Sequence, residues 1–171
     1  MWRPELWLAL LRVVVGALVL RAAWPKFTVL WWAGAVPYPV VSAAALTQQT
    51  RRLSELAAGT PFAWHRDFLR DTVLPHATLA SALQAWGEVA IGVGLILGLL
   101  TGLAALLGLL LAVNTALAAH VAGTGPGPMH ALLIAAMVAF LGSRAGRAWG
   151  LDAAIHRRAS RGVRVLLSLL T

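Results

Sequence analysis

Several charged and polar side chains lie within or beside strongly apolar segments of this sequence. Glu88 stands a few residues into the run AWGEVAIGVGLILGLLTGLAALLG, and Arg21 and Lys26 lie near the end of the first apolar segment. A carboxylate surrounded by hydrocarbon is costly unless it pairs with a cation or takes up a proton. Glu88 therefore predicts a partner on another segment. The remaining polar residues of interest are Asn114, His120 and His130.

These residue types suit proton exchange and anion binding. A glutamate or a histidine can exchange protons with a ligand, and neighbouring cations attract an anion. We predict Glu88 and His120 as the catalytic residues, with Arg21 as the first candidate ion-pair partner of Glu88 and His120 as the second. Ligand binding is predicted for Arg21, Lys26, Trp24, Trp86, Asn114 and His130.

The same residues also admit structural interpretations, which the sequence leaves open. Arg21 and Lys26 lie near a helix end, where long basic side chains extend to the lipid headgroups. His120 could hydrogen-bond a backbone carbonyl at the interface, and Asn114 could join two helices by a hydrogen bond. The two tryptophans belong to a residue type that often anchors helices at the membrane surface.

The sequence does not contain the residue patterns of several other kinds of catalytic site. The sequence has no cysteine, which excludes disulfides, thiol redox chemistry and cysteine-ligated iron–sulfur or zinc sites. It has neither a glycine-rich phosphate loop nor an H-E-x-x-H motif. A haem held by His120 and His130 is disfavoured because a short Gly/Pro loop joins them. We predict no metal site, and any redox role requires a cofactor that is not covalently bound.

The elements that position these residues are predicted to be membrane helices. The chain has 171 residues, of which 60% are hydrophobic and 12% charged, and its mean hydropathy is +0.78. Soluble domains are about 45–50% apolar. Four apolar segments have the length of a membrane span or nearly so, and only helices satisfy their backbone in lipid. We predict an all-α, membrane-embedded antiparallel four-helix bundle forming a single domain over residues 1–171, with spans at residues 6–24, 79–100, 103–121 and 129–141.

Small residues mark the expected helix contacts. Ala104, Gly108, Ala112, Ala116 and His120 repeat every four residues in the third span, a spacing that lets helices approach closely. We expect this stripe to direct His120 towards a packed neighbour. The polar residues of the four spans would then converge on one layer near the non-cytoplasmic side.

Two regions lie outside the predicted spans. The long first loop, residues 27–78, begins with aromatic residues suited to the headgroup level and continues with helical periodicity. We expect one or two short helices across one mouth of the bundle, the second with Thr60 as its N-cap. The tail, residues 150–171, is basic and predicted to form an amphipathic helix at the membrane surface.

The distribution of charge predicts the orientation and the class of partner. The net charge is +8, and the basic residues concentrate in the tail and the first loop rather than along a groove, which favours an anionic lipid surface over nucleic acid. The excess of arginine near both ends predicts that both termini are cytoplasmic. Arg12 lies deeper on that side, where it either reaches the headgroups or pairs with Asp152. We interpret the first segment as a retained helix, because Arg12 interrupts the apolar core that a signal peptide needs.

Four stretches together resemble the DoxX/DoxD family of small four-helix membrane proteins. Three of them are LLRVVVGALVLRAAWPKF in the first span, WGEVAIGVGLILGLLTGLAALLG in the second and third, and LGSRAGRAWGLDAAI at the end of the fourth. The loop TPFAWHRDFLRDTVLPHATLASAL resembles the branch related to the small subunit of thiosulfate:quinone oxidoreductase. The resemblance covers nearly the whole chain.

The resemblance implies an integral membrane subunit of a quinone-linked oxidoreductase system, with thiosulfate or another sulfur compound as the linked substrate. A quinone headgroup or an anionic sulfur substrate would then bind in the polar layer formed by Arg21, Lys26, Glu88 and His120. The implied partners are the lipid bilayer and other membrane or peripheral redox subunits. The implied location is the bacterial inner membrane, with several spans.

A second hypothesis belongs to a different class. The chain would be a non-catalytic accessory or anchoring subunit of a larger membrane complex, since it has no intrinsic cofactor motif and offers a basic tail and a long loop for docking. A small-solute carrier is less favoured, because the spans show no inverted repeat and no broken helix. The sequence leaves homo-oligomerisation open.

Overall fold

The computed structural model describes residues 4–32, 36–121, 123, 125, 127–143 and 150–152. The described chain is mostly helical and contains one two-stranded hairpin. The helices are α1 (Pro4–Ala23), α2 (Ala43–Gly59), α3 (Ala63–Phe68), α4 (Ala77–Leu97), α5 (Thr101–Val121) and α6 (Pro128–Ser143), and the strands are β1 (Phe27–Trp32) and β2 (Val36–Val41).

Among the described residues, three helices are long and apolar enough to cross a membrane. They are α1, α4 and α5, with 20, 21 and 21 residues. The fourth predicted segment is also a helix, but α6 has 16 residues, which at about 1.5 Å per residue is shorter than a hydrocarbon core of about 30 Å. The prediction of apolar helices long enough to span a membrane is therefore confirmed for three of the four segments.

The four apolar helices pack around one core. Helix α1 lies along α4, α5 lies along α6, and α4 and α5 form a hairpin. Phe140, Met137 and Leu95 are almost fully buried at the centre. The other buried members of this core are Val15, Ile91, Ala104, Ala105 and Ala136. The cluster draws on all four helices, so it holds their relative positions.

The turn between α4 and α5 is closed by a residue that is remote in sequence. Gly98 ends α4 with a φ of +63°, and the N–H of Leu99 donates to the carbonyl of Gly94 at 2.9 Å. The carboxylate of Asp152 accepts hydrogen bonds from the N–H groups of Leu100 at 2.7 Å and Thr101 at 2.9 Å. Asp152 thus satisfies N–H groups at the start of α5 that have no partner within the helix.

Arg12 lies against the same turn. It is 1% exposed, and a Cβ on Gly98 would lie 2.7 Å from two of its guanidinium nitrogens. Asp152 is close enough to interact with it electrostatically. Of the two alternatives left open by the sequence, the burial of Arg12 and this interaction favour Asp152 over a position among the headgroups.

Helices α2 and α3 lie within the long first loop. Ser42 caps α2 by accepting a hydrogen bond from the N–H of Ala45 at 3.2 Å. Leu56 and Leu69 form a second core with the end of α5, where Leu117 and Val121 contact them. The predicted N-cap role of Thr60 is wrong, because its N–H bonds the carbonyl of Leu56 and it ends α2 instead.

The hairpin β1–β2 was not predicted. Its two strands are antiparallel, with Phe27 opposite Val41 and Trp32 opposite Val36. The prolines of the segment VPYPVV disfavour a strand, but Pro37 and Pro39 are tolerated here because β2 is an edge strand. Of the predicted amphipathic tail, only residues 150–152 are described, so that prediction lies outside the described residues.

Candidate functional site

The site is built on an ion pair between Lys26 and Glu88. Both carboxylate oxygens of Glu88 accept hydrogen bonds from the Lys26 ammonium group. The lysine side chain is 22% exposed and the glutamate side chain 8%. Glu88 is thus sheltered within the protein and paired with a cation from another element, as predicted.

The predicted partner was wrong. Arg21 is exposed, and none of the ion pairs formed by the described residues involves it. Lys26 takes its place because a short turn, Trp24–Lys26, follows α1, and the Lys26 carbonyl is held there by the N–H of Ser42 at 2.8 Å. This turn brings the ammonium group to Glu88 on α4.

Gln84 is a further neighbour of the Glu88 carboxylate. It lies one helical turn before Glu88 on α4, and its side-chain nitrogen donates to a Glu88 oxygen at 3.5 Å. The sequence analysis did not include Gln84. The spacing of four residues, which places two side chains on the same face of a helix, could have identified it.

A cavity of about 390 Å³ extends from this ion pair into the bundle. Its lining comes from α1, α4, α5 and α6 and is mainly apolar, with residues such as Leu18, Ile91, Leu111, Leu133 and Met137. The charged residues of the lining are Arg21, Lys26 and Glu88, and Thr115 adds a hydroxyl group. An apolar pocket with a few convergent polar groups is typical of sites for small organic ligands. We call it the first cavity.

A second cavity, of about 360 Å³, lies between α2, α4, α5 and α6. Two of the predicted site residues, Asn114 and His130, line this cavity rather than the first. The polar residues that we predicted to form a single layer are therefore divided between two neighbouring cavities. The polar lining of the second cavity comprises Gln49, Arg52, Glu55, Gln84, Asn114, Thr115 and His130.

His120 lies outside both cavities. Its side chain is exposed, and its backbone carbonyl accepts a hydrogen bond from Gly123 at 3.1 Å. With 3.6 residues per turn, a stripe spaced by four residues drifts by about 40° at each step. Gly108 and Ala112 face the first cavity, but this drift has turned the stripe away from the interior when it reaches His120.

The two predicted tryptophans also stand apart from the cavities. Trp24 is 77% exposed. Trp86 is about half exposed and packs edge-on against Phe27, with the ring centroids 4.9 Å apart. Neither residue is part of the lining of either cavity. Among the described residues, no group of three His, Cys, Asp or Glu side chains is placed to hold a metal ion.

Comparison with known proteins gives the family. No curated protein and no solved structure shows a significant match to the chain. The family described as "TQO small subunit DoxD" matches residues 7–171. The match confirms the resemblance seen in the sequence, and because it spans nearly the whole chain, the protein is a member of the DoxD family, that of the small subunit of thiosulfate:quinone oxidoreductase.

Proposed function

We propose that this protein is the quinone-binding membrane subunit of a thiosulfate:quinone oxidoreductase system, and that the quinone headgroup binds in the first cavity against Lys26 and Glu88. The observation that carries the proposal is an apolar cavity whose charged residues include a sheltered ion pair. The family description supports the redox system. The apolar helices support a place in the lipid bilayer.

The proposal includes a membrane arrangement. Helix α6 is the fourth span, and residues 1–171 form a single domain in the bacterial inner membrane with both termini on the cytoplasmic side. Lys26, after the end of α1, then lies on the outer side of the bilayer, and Glu88, near the middle of α4, is paired with it there. The excess of arginine near the two ends of the chain supports this orientation.

The lining of the first cavity fits a quinone. A quinone has a flat apolar ring with two carbonyl oxygens and, in lipid-soluble forms, an apolar tail. The lining offers Met and Leu side chains from α5 and α6 to the ring and the tail, and an ammonium group to a carbonyl oxygen. When bound, a quinone supplies the two-electron redox chemistry that the side chains of this chain lack.

The residues of the site have distinct roles in this proposal. The Lys26 ammonium donates a hydrogen bond to the ligand oxygen and stabilises negative charge there. Glu88 holds or releases a proton at its carboxylate, which is general acid–base chemistry. Arg21, at the surface of the same cavity, adds positive charge. The apolar side chains that line the first cavity keep water away from the quinone ring.

A binding experiment tests the assignment. The full-length protein is purified in lipid nanodiscs, and the Kd for decylubiquinone is measured by equilibrium dialysis for the wild type, Glu88→Gln and Glu5→Gln. Glu5 is an exposed residue at the start of α1, so it provides the same chemical change outside both cavities. We expect Glu88→Gln to weaken binding about tenfold, or about 1.4 kcal/mol, and Glu5→Gln to leave it unchanged. Equal affinity in all three proteins would contradict the proposal.

The second candidate function is that of a non-catalytic anchoring subunit. The observation in its favour is that Lys26 donates hydrogen bonds to both carboxylate oxygens of Glu88. Such an ion pair can also serve only to stabilise the helix bundle. In that case the double variant Lys26→Met/Glu88→Gln would retain the full activity of the assembled complex. We expect the double variant instead to lose thiosulfate-dependent quinone reduction in native membranes, although it avoids an unpaired buried charge.

A further inference from the structure

The second cavity has no role in the proposed binding of a quinone headgroup. It lies between the extramembrane helix α2 and the membrane helices α4, α5 and α6. Two exposed residues of α2, Arg52 and Glu55, belong to its lining and mark the end that opens to the aqueous side. At the other end it reaches Gln84, beside the candidate site.

The polar groups of this cavity require water. Gln49 is 7% exposed, although its amide has four hydrogen-bonding positions to fill. His130 also belongs to the lining. A polar cavity needs only about 15 Å³ to hold a water molecule, and this one measures about 360 Å³. Its volume and its polar lining therefore favour a chain of water molecules.

The two cavities adjoin at Thr115 and at the contact between Gln84 and Glu88. Gln84 lines the second cavity, Glu88 lines the first, and their side chains are joined at 3.5 Å. Thr115 belongs to the lining of both cavities. The first cavity has few polar groups, whereas the second carries amide, imidazole and hydroxyl groups beside its leucine and alanine side chains.

We propose that the second cavity is a water-filled proton route that joins the aqueous phase beside α2 to Glu88. The route rests on the proposed function, because reduction of a quinone to a quinol takes up two electrons and two protons. In that reaction the electrons come from the inorganic sulfur donor, which is oxidised. The protons enter from water through the cavity and reach the Glu88 carboxylate past Gln84.

Hydration of the cavity is tested by cysteine accessibility. The chain has no cysteine of its own, so each single-cysteine variant of the full-length protein reports one position. Asn114→Cys places a thiol in the cavity, and Val113→Cys places one on the neighbouring, 48% exposed position of α5, outside both cavities. A charged methanethiosulfonate reagent reacts with the thiolate, which forms in water and not in hydrocarbon.

The reagent is added to right-side-out membrane vesicles, and modification is followed by mass spectrometry. We expect Asn114→Cys to react about tenfold faster than Val113→Cys or more, a difference equivalent to about 1.4 kcal/mol or more. Equally slow modification of the two variants would overturn the proposal. This result does not depend on whether a quinone binds.

The link to Glu88 is tested at Gln84. Gln84→Leu keeps a similar volume and removes the amide, and Gln48→Leu makes the same change at an exposed position of α2 outside the cavity. In native membranes with thiosulfate and decylubiquinone, we expect Gln84→Leu to lower kcat about tenfold with little change in KM. The solvent isotope effect should rise because proton delivery becomes rate-limiting.

A normal kcat in Gln84→Leu would overturn the route through Gln84. A wild-type complex with no thiosulfate-dependent quinone reduction would instead overturn the proposed function, while the cysteine experiment still decides whether the cavity is hydrated.

Discussion

Gly16 of α1 and Gly92 of α4 face each other where the two helices cross. A Cβ on Gly16 would lie 2.9 Å from the carbonyl oxygen of Gly92, and one on Gly92 would lie 3.0 Å from the carbonyl oxygen of Gly16. The two backbones therefore approach as closely as they do only because both residues lack a side chain. This contact sets the spacing between α4, which carries Glu88, and α1, which directly precedes the turn that carries Lys26.

Replacement of Gly92 by alanine should separate α1 from α4. We expect a loss of about 1–3 kcal/mol in the free energy of unfolding, because the new methyl group meets backbone rather than a flexible side chain. Gly87→Ala on the same helix is the control, since a Cβ there meets nothing within 4 Å. Unfolding of the purified protein by SDS, followed by circular dichroism, measures both. Equal stability of the two variants would show that the contact is not tight.

Asp152 should stabilise the α4–α5 hairpin. Asp152→Ala removes the acceptor for the N–H groups of Leu100 and Thr101 and the nearby negative charge for buried Arg12. We expect a loss of about 2–4 kcal/mol, since a buried charge and buried N–H groups lose their compensation. Asp67→Ala is the matched control, because its carboxylate is largely exposed. SDS unfolding followed by circular dichroism measures both variants. If Asp152→Ala lost no more unfolding free energy than Asp67→Ala, Asp152 would not stabilise the hairpin.

The first cavity should close when a larger side chain fills it. Ala112 is 5% exposed and belongs to its lining. We expect Ala112→Phe to weaken decylubiquinone binding about tenfold or more, which is about 1.4 kcal/mol or more, while the protein stays folded because the cavity has room for the ring. Val113→Phe, one residue along on the exposed side of α5, should bind normally. Equilibrium dialysis in nanodiscs measures both, and normal binding by Ala112→Phe would place the ligand elsewhere.

The hairpin β1–β2 should lie in the headgroup region of the outer leaflet. Neither strand contains a charged residue, and Val29 and Trp31 are more than half exposed. The hairpin directly follows the end of α1, and its unpaired edge groups need polar partners that hydrocarbon does not offer.

A spin label on Val29→Cys tests this placement, with Ser54→Cys on the exposed face of α2 as the control. In power-saturation EPR, the label at residue 29 should be more accessible to oxygen and less accessible to a nickel chelate than the label at residue 54. Equal accessibility at the two positions would show that the hairpin lies in water.

Local patterns were sufficient to predict the helices. Long apolar runs bounded by Gly and Pro predicted the positions of α1, α4, α5 and α6 to within a few residues, because a segment in lipid must satisfy its own backbone hydrogen bonds. The need of Glu88 for a cation followed from the same solvation argument. The β1–β2 hairpin was not predicted, because strand pairing depends on contacts between segments. Its prolines also argue against a strand unless that strand lies at the edge of a sheet.

The identity of the partners was decided by the tertiary structure. From the sequence we predicted Arg21, and after it His120, as the partner of Glu88, whereas the turn after α1 brings Lys26 to it. His120 belongs to a stripe of small residues but leaves the interior, because the helix rotates away from its packed face over that distance. Side-chain depth and helix periodicity are properties of one segment and can be inferred from sequence, whereas the pairing of charges and the division of the polar residues into two cavities depend on how the helices pack.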